Sequence, residues 1–331
     1  MAVGFINYPM EVAELWRGLG WPLVRLSLTI SLGLLVANLI EALNWTRAVA
    51  KLAEPLIRLA RLKDVSGASF SMAFFSGVAA NTMLSEAYDK GALSRRELIL
   101  SNLFNSLPTY FLHLPSMFFL VVPFLGSAAF VYVGLTLLSA ILRTSFIVAL
   151  GRVWLPPLPE GCVVCRLDEA AKAQGARTWR DALRISIKRF KKRIGKVLTF
   201  TVPIYILVFF LNRWGVFKML EGFLAEHAGI LSWLHPKAIS IVVFQVASEF
   251  TAGLAAAGAL LEAQALPMKQ VVLALLVGNV LSTPMRAFRH QFPFYAGIFK
   301  PALATRLIAA SQALRAGSIV VVTALYFFLI P

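Results

Sequence analysis

Apolar positions run almost unbroken from 22 to 43, PLVRLSLTISLGLLVANLIEAL, close to the ~20 residues needed to cross a bilayer core. The next stretch, NWTRAVAKLAEPLIRLARLKD, has a different pattern: Trp45, Val49, Leu52, Leu56, Leu59 and Leu62 recur at helical spacing against Arg47, Lys51, Arg58, Arg61 and Lys63. That period predicts an amphipathic helix lying in the membrane interface. Residues 68–88 are apolar but interrupted by Ser76-Gly77, Asn81-Thr82 and Ser85-Glu86. Lipid alone would penalise such groups, so the segment predicts a re-entrant hairpin beside protein or a watery cavity, with Gly77 permitting the turn. Residues 97–125 predict a helix broken near Asn105-Ser106-Leu107-Pro108, and again at Pro115 and Pro123. Residues 127–154 predict a further span, and it contains Arg143.

The pattern then changes and begins again. From Glu160 to Lys196 there are eleven Lys or Arg against four Asp or Glu, which the positive-inside rule places in the cytoplasm. Beyond it come a span at 197–219, a partly amphipathic stretch at 220–236, and an interrupted apolar segment at 238–262 carrying Ser248-Glu249-Phe250-Thr251. A span from 268 is broken by Asn279 and Ser282-Thr283-Pro284, and a last span covers about 303–330. Ala92-Leu93 matches Ala265-Leu266 at an offset of 173, Asn105 matches Asn279 at 174, and SAILR at 139–143 matches SQALR at 311–315 at 172. This order predicts a duplication. The division is a first repeat at 1–155, a basic cytoplasmic linker with an amphipathic helix at 156–196, and a second repeat at 197–331.

Composition agrees with a membrane chain: 331 residues, 59% hydrophobic, 15% charged, mean hydropathy +0.75. The formal charge of +16 comes without any nucleic-acid-binding signature, and the basic residues gather beside apolar spans, where anionic lipid is the expected partner. The first loop, 44–66, carries five basic and two acidic residues, against three and two in its counterpart at 212–237. With the first loop and the linker both inside, three spans plus a hairpin per half invert the second half relative to the first. The first 20 residues predict no cleaved signal peptide. Cys162 and Cys165 could form a metal or redox pair, or stand in an ordinary loop.

SGVAANTMLSEAYDKGALSRREL, followed by NSLPTYF, resembles the Gate or nucleoside-recognition domain of bacterial and archaeal membrane proteins, spore-maturation membrane proteins included. A Ser-Gly turn, a Glu-x-Tyr-x-Lys-Gly stretch and a Gly/Ser-Pro break recur there in this order. Here they are Ser76-Gly77, Glu86-Ala87-Tyr88-Asp89-Lys90-Gly91 and Ser106-Leu107-Pro108. The element order is also similar to the transport core of concentrative nucleoside transporters and, more distantly, to the gates of ferrous-iron permeases. The nucleoside transporters' Gln-Thr-Glu hairpin tip and Asn-Glu-Phe signature are absent; the nearest pieces are Asn81-Thr82 and Ser248-Glu249-Phe250.

Three sets of residues are candidates for binding a solute. The hairpins offer Ser76, Asn81, Thr82 and Glu86 from one side and Ser248, Glu249 and Thr251 from the other; the alternative is a small-residue helix-packing face. The breaks offer Asn105, Ser106, Asn279, Ser282 and Thr283, where freed carbonyls and half-helix termini can hold ions, or merely a kink. Arg143 and Arg315 stand deep in the closing spans of the two halves, an expensive position unless they face a cavity, a carboxylate or an anion. Snorkelling, or an ion pair with Glu86 or Glu249, would equally satisfy them. No Ser/His/Asp set or phosphate-binding loop points to an enzyme. The sequence therefore predicts an all-α polytopic cell-membrane protein of two inverted repeats. Its expected role is a secondary transporter of a small polar or anionic metabolite. A coupling cation and a homo-oligomer are both compatible with that role, and the alternative is a non-transporting membrane scaffold or regulator.

Overall fold

A helix pairs its own backbone N–H and C=O groups, which is what an apolar sequence of this kind requires in hydrocarbon. The computed structural model describes residues 12–42, 55–56, 59–156, 179–214, 233–247 and 250–330, and every regular element among them is a helix. Apart from a short helix at Val12–Leu15 and π-helical turns at Trp16–Gly20 and Ala287–Gln291, these are in chain order α1 (Trp21–Ala42), α2 (Asp64–Ala73), α3 (Gly77–Asp89), α4 (Arg95–Phe104), α5 (Ser106–Leu125) and α6 (Ala128–Trp154). They continue with α7 (Trp179–Arg213), α8 (Pro236–Ala247), α9 (Phe250–Glu262), α10 (Met268–Leu281), α11 (Thr283–Arg286), α12 (Phe292–Ala296) and α13 (Pro301–Leu329). Four stretches are long and apolar enough to cross a membrane: Val12–Val36, Arg95–Leu125, Ala128–Trp154 and Pro301–Leu329. Most of the expected interfacial helix, the Cys162/Cys165 pair, the first part of the basic linker and residues 215–232 lie outside the described residues.

The basic end of the linker and the span after it are one helix, α7, so the expected boundary at 196–197 falls inside a continuous element. Its inner face packs on α1: Ala182 and Ser186 are buried, and the Ser186 hydroxyl donates to the Leu35 carbonyl at 2.9 Å. On the other side of α1, a Cβ at Gly33 would stand 2.4 Å from the Phe119 carbonyl oxygen. Only glycine allows α1 and α5 to approach that closely.

Two helical hairpins, α2–α3 and α8–α9, occupy the positions of the interrupted segments. Their helices have 10 to 13 residues. At ~1.5 Å per residue they reach roughly 15–20 Å, short of a ~30 Å hydrocarbon core. In the first hairpin the turn is made at Ser76, in an extended conformation with its hydroxyl accepting from the Ala79 N–H at 3.2 Å, and Gly77 is the first residue of α3. The turn thus uses an N-cap serine rather than the glycine. Gly91, at φ +72, ends α3 with the Ala92 N–H donating to the Ala87 carbonyl at 2.9 Å, a Schellman-type stop. A capping box of Ser94 and Glu97 starts α4.

The first broken helix parts at Asn105, between α4 and α5. Pro108 lies in the first turn of α5, where its missing N–H has no helical partner to lose. The further breaks expected at Pro115 and Pro123 do not occur: α5 runs through both to Leu125. The second broken helix parts at Ser282. Behind the breaks, α9 is buried at every position from Thr251 to Leu260, as a helix apolar all round should be, and packs against α5, α7 and α8.

Candidate functional site

Between the first hairpin, the two breaks and the closing helices of both halves lies a cavity of about 550 Å³. Arg143 of α6 and Arg315 of α13 both line it, together with Asn81, Asn105, Ser106 and Asn279. The sequence expected all six at one site, and the fold brings them to one wall system. Arg143 is 8% exposed and Arg315 half-buried.

Each arginine addresses the break of its own half. Arg143 donates through Nε to Ser106 Oγ at 3.2 Å, and Arg315 donates through Nη2 to Asn279 Oδ1 at 3.3 Å. A third guanidinium, absent from the sequence expectation, joins them: Arg286 of α11 donates to the same Asn279 Oδ1 at 3.1 Å and to Ser282 Oγ at 3.0 Å. Asn279 in turn donates from its amide to the Tyr132 hydroxyl at 3.3 Å. Among the described residues no carboxylate pairs with any of the three arginines. Glu86 pairs instead with Lys90 at 3.9 Å on an exposed face, and Glu249 lies outside the described residues.

The breaks are built alike. Thr109 donates its hydroxyl to the Asn105 carbonyl at 2.8 Å, and Thr283 donates to the Asn279 carbonyl at 3.2 Å. In each case a threonine four residues on occupies the carbonyl of the asparagine. The Asn105 amide donates to Ser69 Oγ at 2.7 Å, which fastens the first break to the first hairpin. Ser139, in the cavity lining, and Ser318 share a hydroxyl hydrogen bond of 2.8 Å that joins α6 to α13.

Other expected residues stand elsewhere. Thr82 is exposed, its hydroxyl returned to the Val78 carbonyl at 3.0 Å. Ser76 caps α3, Thr251 is buried within α9, and Ser282 and Thr283 donate back to the Asn279 carbonyl rather than lining the cavity. Ser248 lies outside the described residues. Conversely, the cavity includes residues that pattern reading passed over. Asn102 donates to Asn81 Oδ1 at 2.9 Å and to the Tyr295 hydroxyl at 3.3 Å, linking α3, α4 and α12. Asn102 stands three residues before Asn105 on one helical face, a spacing visible in the sequence. Arg286 stands four after Ser282 and seven after Asn279, a face that continues across the break and is recognised only once the chain is folded.

No family model matches the chain, and no solved structure matches it. It is similar to three proteins of Methanocaldococcus jannaschii, each described as uncharacterized. One is 24% identical over 310 residues, covering 93% of this chain and 94% of the relative. A second is 23% identical over 84% of this chain and 88% of the relative, and a third 24% identical over 81% and 82%.

Proposed function

We propose that the chain is a multi-pass membrane protein of two inverted Gate-type repeats that acts as a secondary transporter of a small anionic solute. The solute is held between the halves by Arg143 and Arg315. The hairpins are re-entrant, and the basic start of α7 faces the cytoplasm.

Local structure recurring at a constant offset supports the repeat. α3 and α9 end at Asp89 and Glu262, and α4 and α10 begin at Arg95 and Met268, each pair 173 residues apart. The loop after α9 copies the loop after α3: Gln264 has φ +50 where Gly91 has φ +72, and the Ala265 N–H donates to the Leu260 carbonyl at 2.9 Å as Ala92 does to Ala87. Cross-packing is reciprocal, with α4 against α13 and α10 against α6. A polar site made by two broken helices and the first hairpin at such an interface suits alternating access.

The observation that carries the reading is two guanidinium groups facing one cavity without a carboxylate among the described residues. In a low-dielectric interior each bears a desolvation cost and the two repel, and an anion between them offsets both. Thermal unfolding of the purified protein in inorganic phosphate, sulfate and chloride tests this. At least one anion should raise the midpoint of the wild type, and Arg143→Gln and Arg315→Gln should each remove most of that rise while the protein stays folded. Lys at either position should restore only part of it, lacking the forked contact. A rise of equal size in both Gln variants would refute the site.

A further inference from the structure

Resting on the anion-site reading above, we infer that the cavity selects an organic dianion, a phosphate- or phosphonate-like group carried on an apolar body, and that Arg286 sets the preference for two charges over one. Three features converge on this class.

The first is charge. Arg143 and Arg315 line the cavity, and Arg286 stands behind Asn279, sharing its single Oδ1 with Arg315. Arg315 lies within electrostatic reach of both other arginines. One neutral amide oxygen cannot balance two guanidinium groups, each with five N–H donors. A monoanion entering this corner leaves two of three positive charges uncompensated, and a dianion leaves one. Tetrahedral oxyanions with three oxygens also offer enough acceptors for forked donation from two directions.

The second is size. About 550 Å³ is many times the ~30 Å³ share of a water molecule and falls within the usual range for small organic ligands. An inorganic anion would leave most of it unfilled.

The third is the rest of the lining, which is mainly apolar: Val78 of α3, Leu112 and Met117 of α5, Phe294 of α12 and Ile319 of α13, with His113 and Gln291 among them. The nearby polar groups Asn81, Asn102 and Tyr295 are bonded to one another, so they do not call for a second charged end on the ligand.

Phenylphosphonate and benzenesulfonate share a ring and a tetrahedral head but carry two charges and one charge respectively at pH 8.5, so thermal-shift titrations of the full chain with both, and with inorganic phosphate, separate the terms. Phenylphosphonate should reach its half-maximal shift at a concentration at least tenfold below either of the others. Arg286→Gln should weaken phenylphosphonate more than benzenesulfonate and shrink their ratio. Should that variant fail to fold, the wild type alone decides through pH: the phosphonate should lose its advantage as pH falls through its second ionisation, with the sulfonate unchanged. Equal binding of phosphonate and sulfonate overturns the preference for two charges, tighter binding of inorganic phosphate overturns the apolar body, and either leaves the anion site standing. Binding of none of the three overturns both.

Discussion

Asn279 engages both ends of its side-chain amide, its oxygen accepting from Arg286 and Arg315 and its nitrogen donating to Tyr132, while its carbonyl takes the hydroxyls of Ser282 and Thr283. It holds two cations with a neutral group, which keeps the corner positive. Asn279→Asp changes almost no volume but places a carboxylate between the guanidinium groups. The variant should unfold at a higher temperature than the wild type without anion, because a buried charge gains its counter-ion, and should lose the anion-induced rise. If anions stabilise Asn279→Asp as much as the wild type, the positive corner is not what binds them. At the same scale, Thr82 and Glu86 show why a polar residue in an apolar segment is not yet a ligand. Gly77, Ala80 and Asn81 share the cavity face of α3. Thr82 and Glu86 follow Val78 along its side of α3, one and two turns beyond the cavity, and both are exposed.

Elements explain both the successes and the misses of pattern reading. The hairpins and breaks were legible because polar and proline residues in an apolar run leave few alternatives to irregular backbone at depth. Pro115 and Pro123 misled because a proline inside an apolar helix can be accommodated where neighbouring helices pack round it, as α1 and α6 do for α5. The convergence on Arg286 was illegible for a different reason: it depends on α11, four residues long, too short to show a period. The paired loops give a prediction of their own. Gln264 occupies a left-handed conformation that Gly91, its counterpart in the proposed repeat, adopts freely, at a cost of roughly 1–2 kcal/mol for a residue with a Cβ. Gln264→Gly should therefore stabilise by up to ~1 kcal/mol after the added flexibility of the unfolded chain is subtracted, and Gly91→Gln should destabilise by a similar amount. Opposite shifts in the midpoint of thermal unfolding check it; a fall for Gln264→Gly would mean that the side chain holds the loop.

At the scale of the whole molecule the packing of α4 on α13 and α10 on α6 puts the cavity, under the proposed repeat, on the line where its two halves meet. Each half supplies one closing helix with its arginine, and Ser139 of α6 bonded to Ser318 of α13 pins the crossing. Rocking of one half against the other would open the cavity first to one face and then to the other, whereas a scaffold needs no such exchange. Ser311 lines the cavity, half-buried, on α13. With Cys162 and Cys165 replaced by Ser and Ser311→Cys introduced, protein of known orientation in proteoliposomes can be exposed to an impermeant thiol reagent from outside or from the lumen. Transport by alternating access requires labelling from each side separately, slowed in both cases by phenylphosphonate. Labelling from one side only, or from neither, would contradict it.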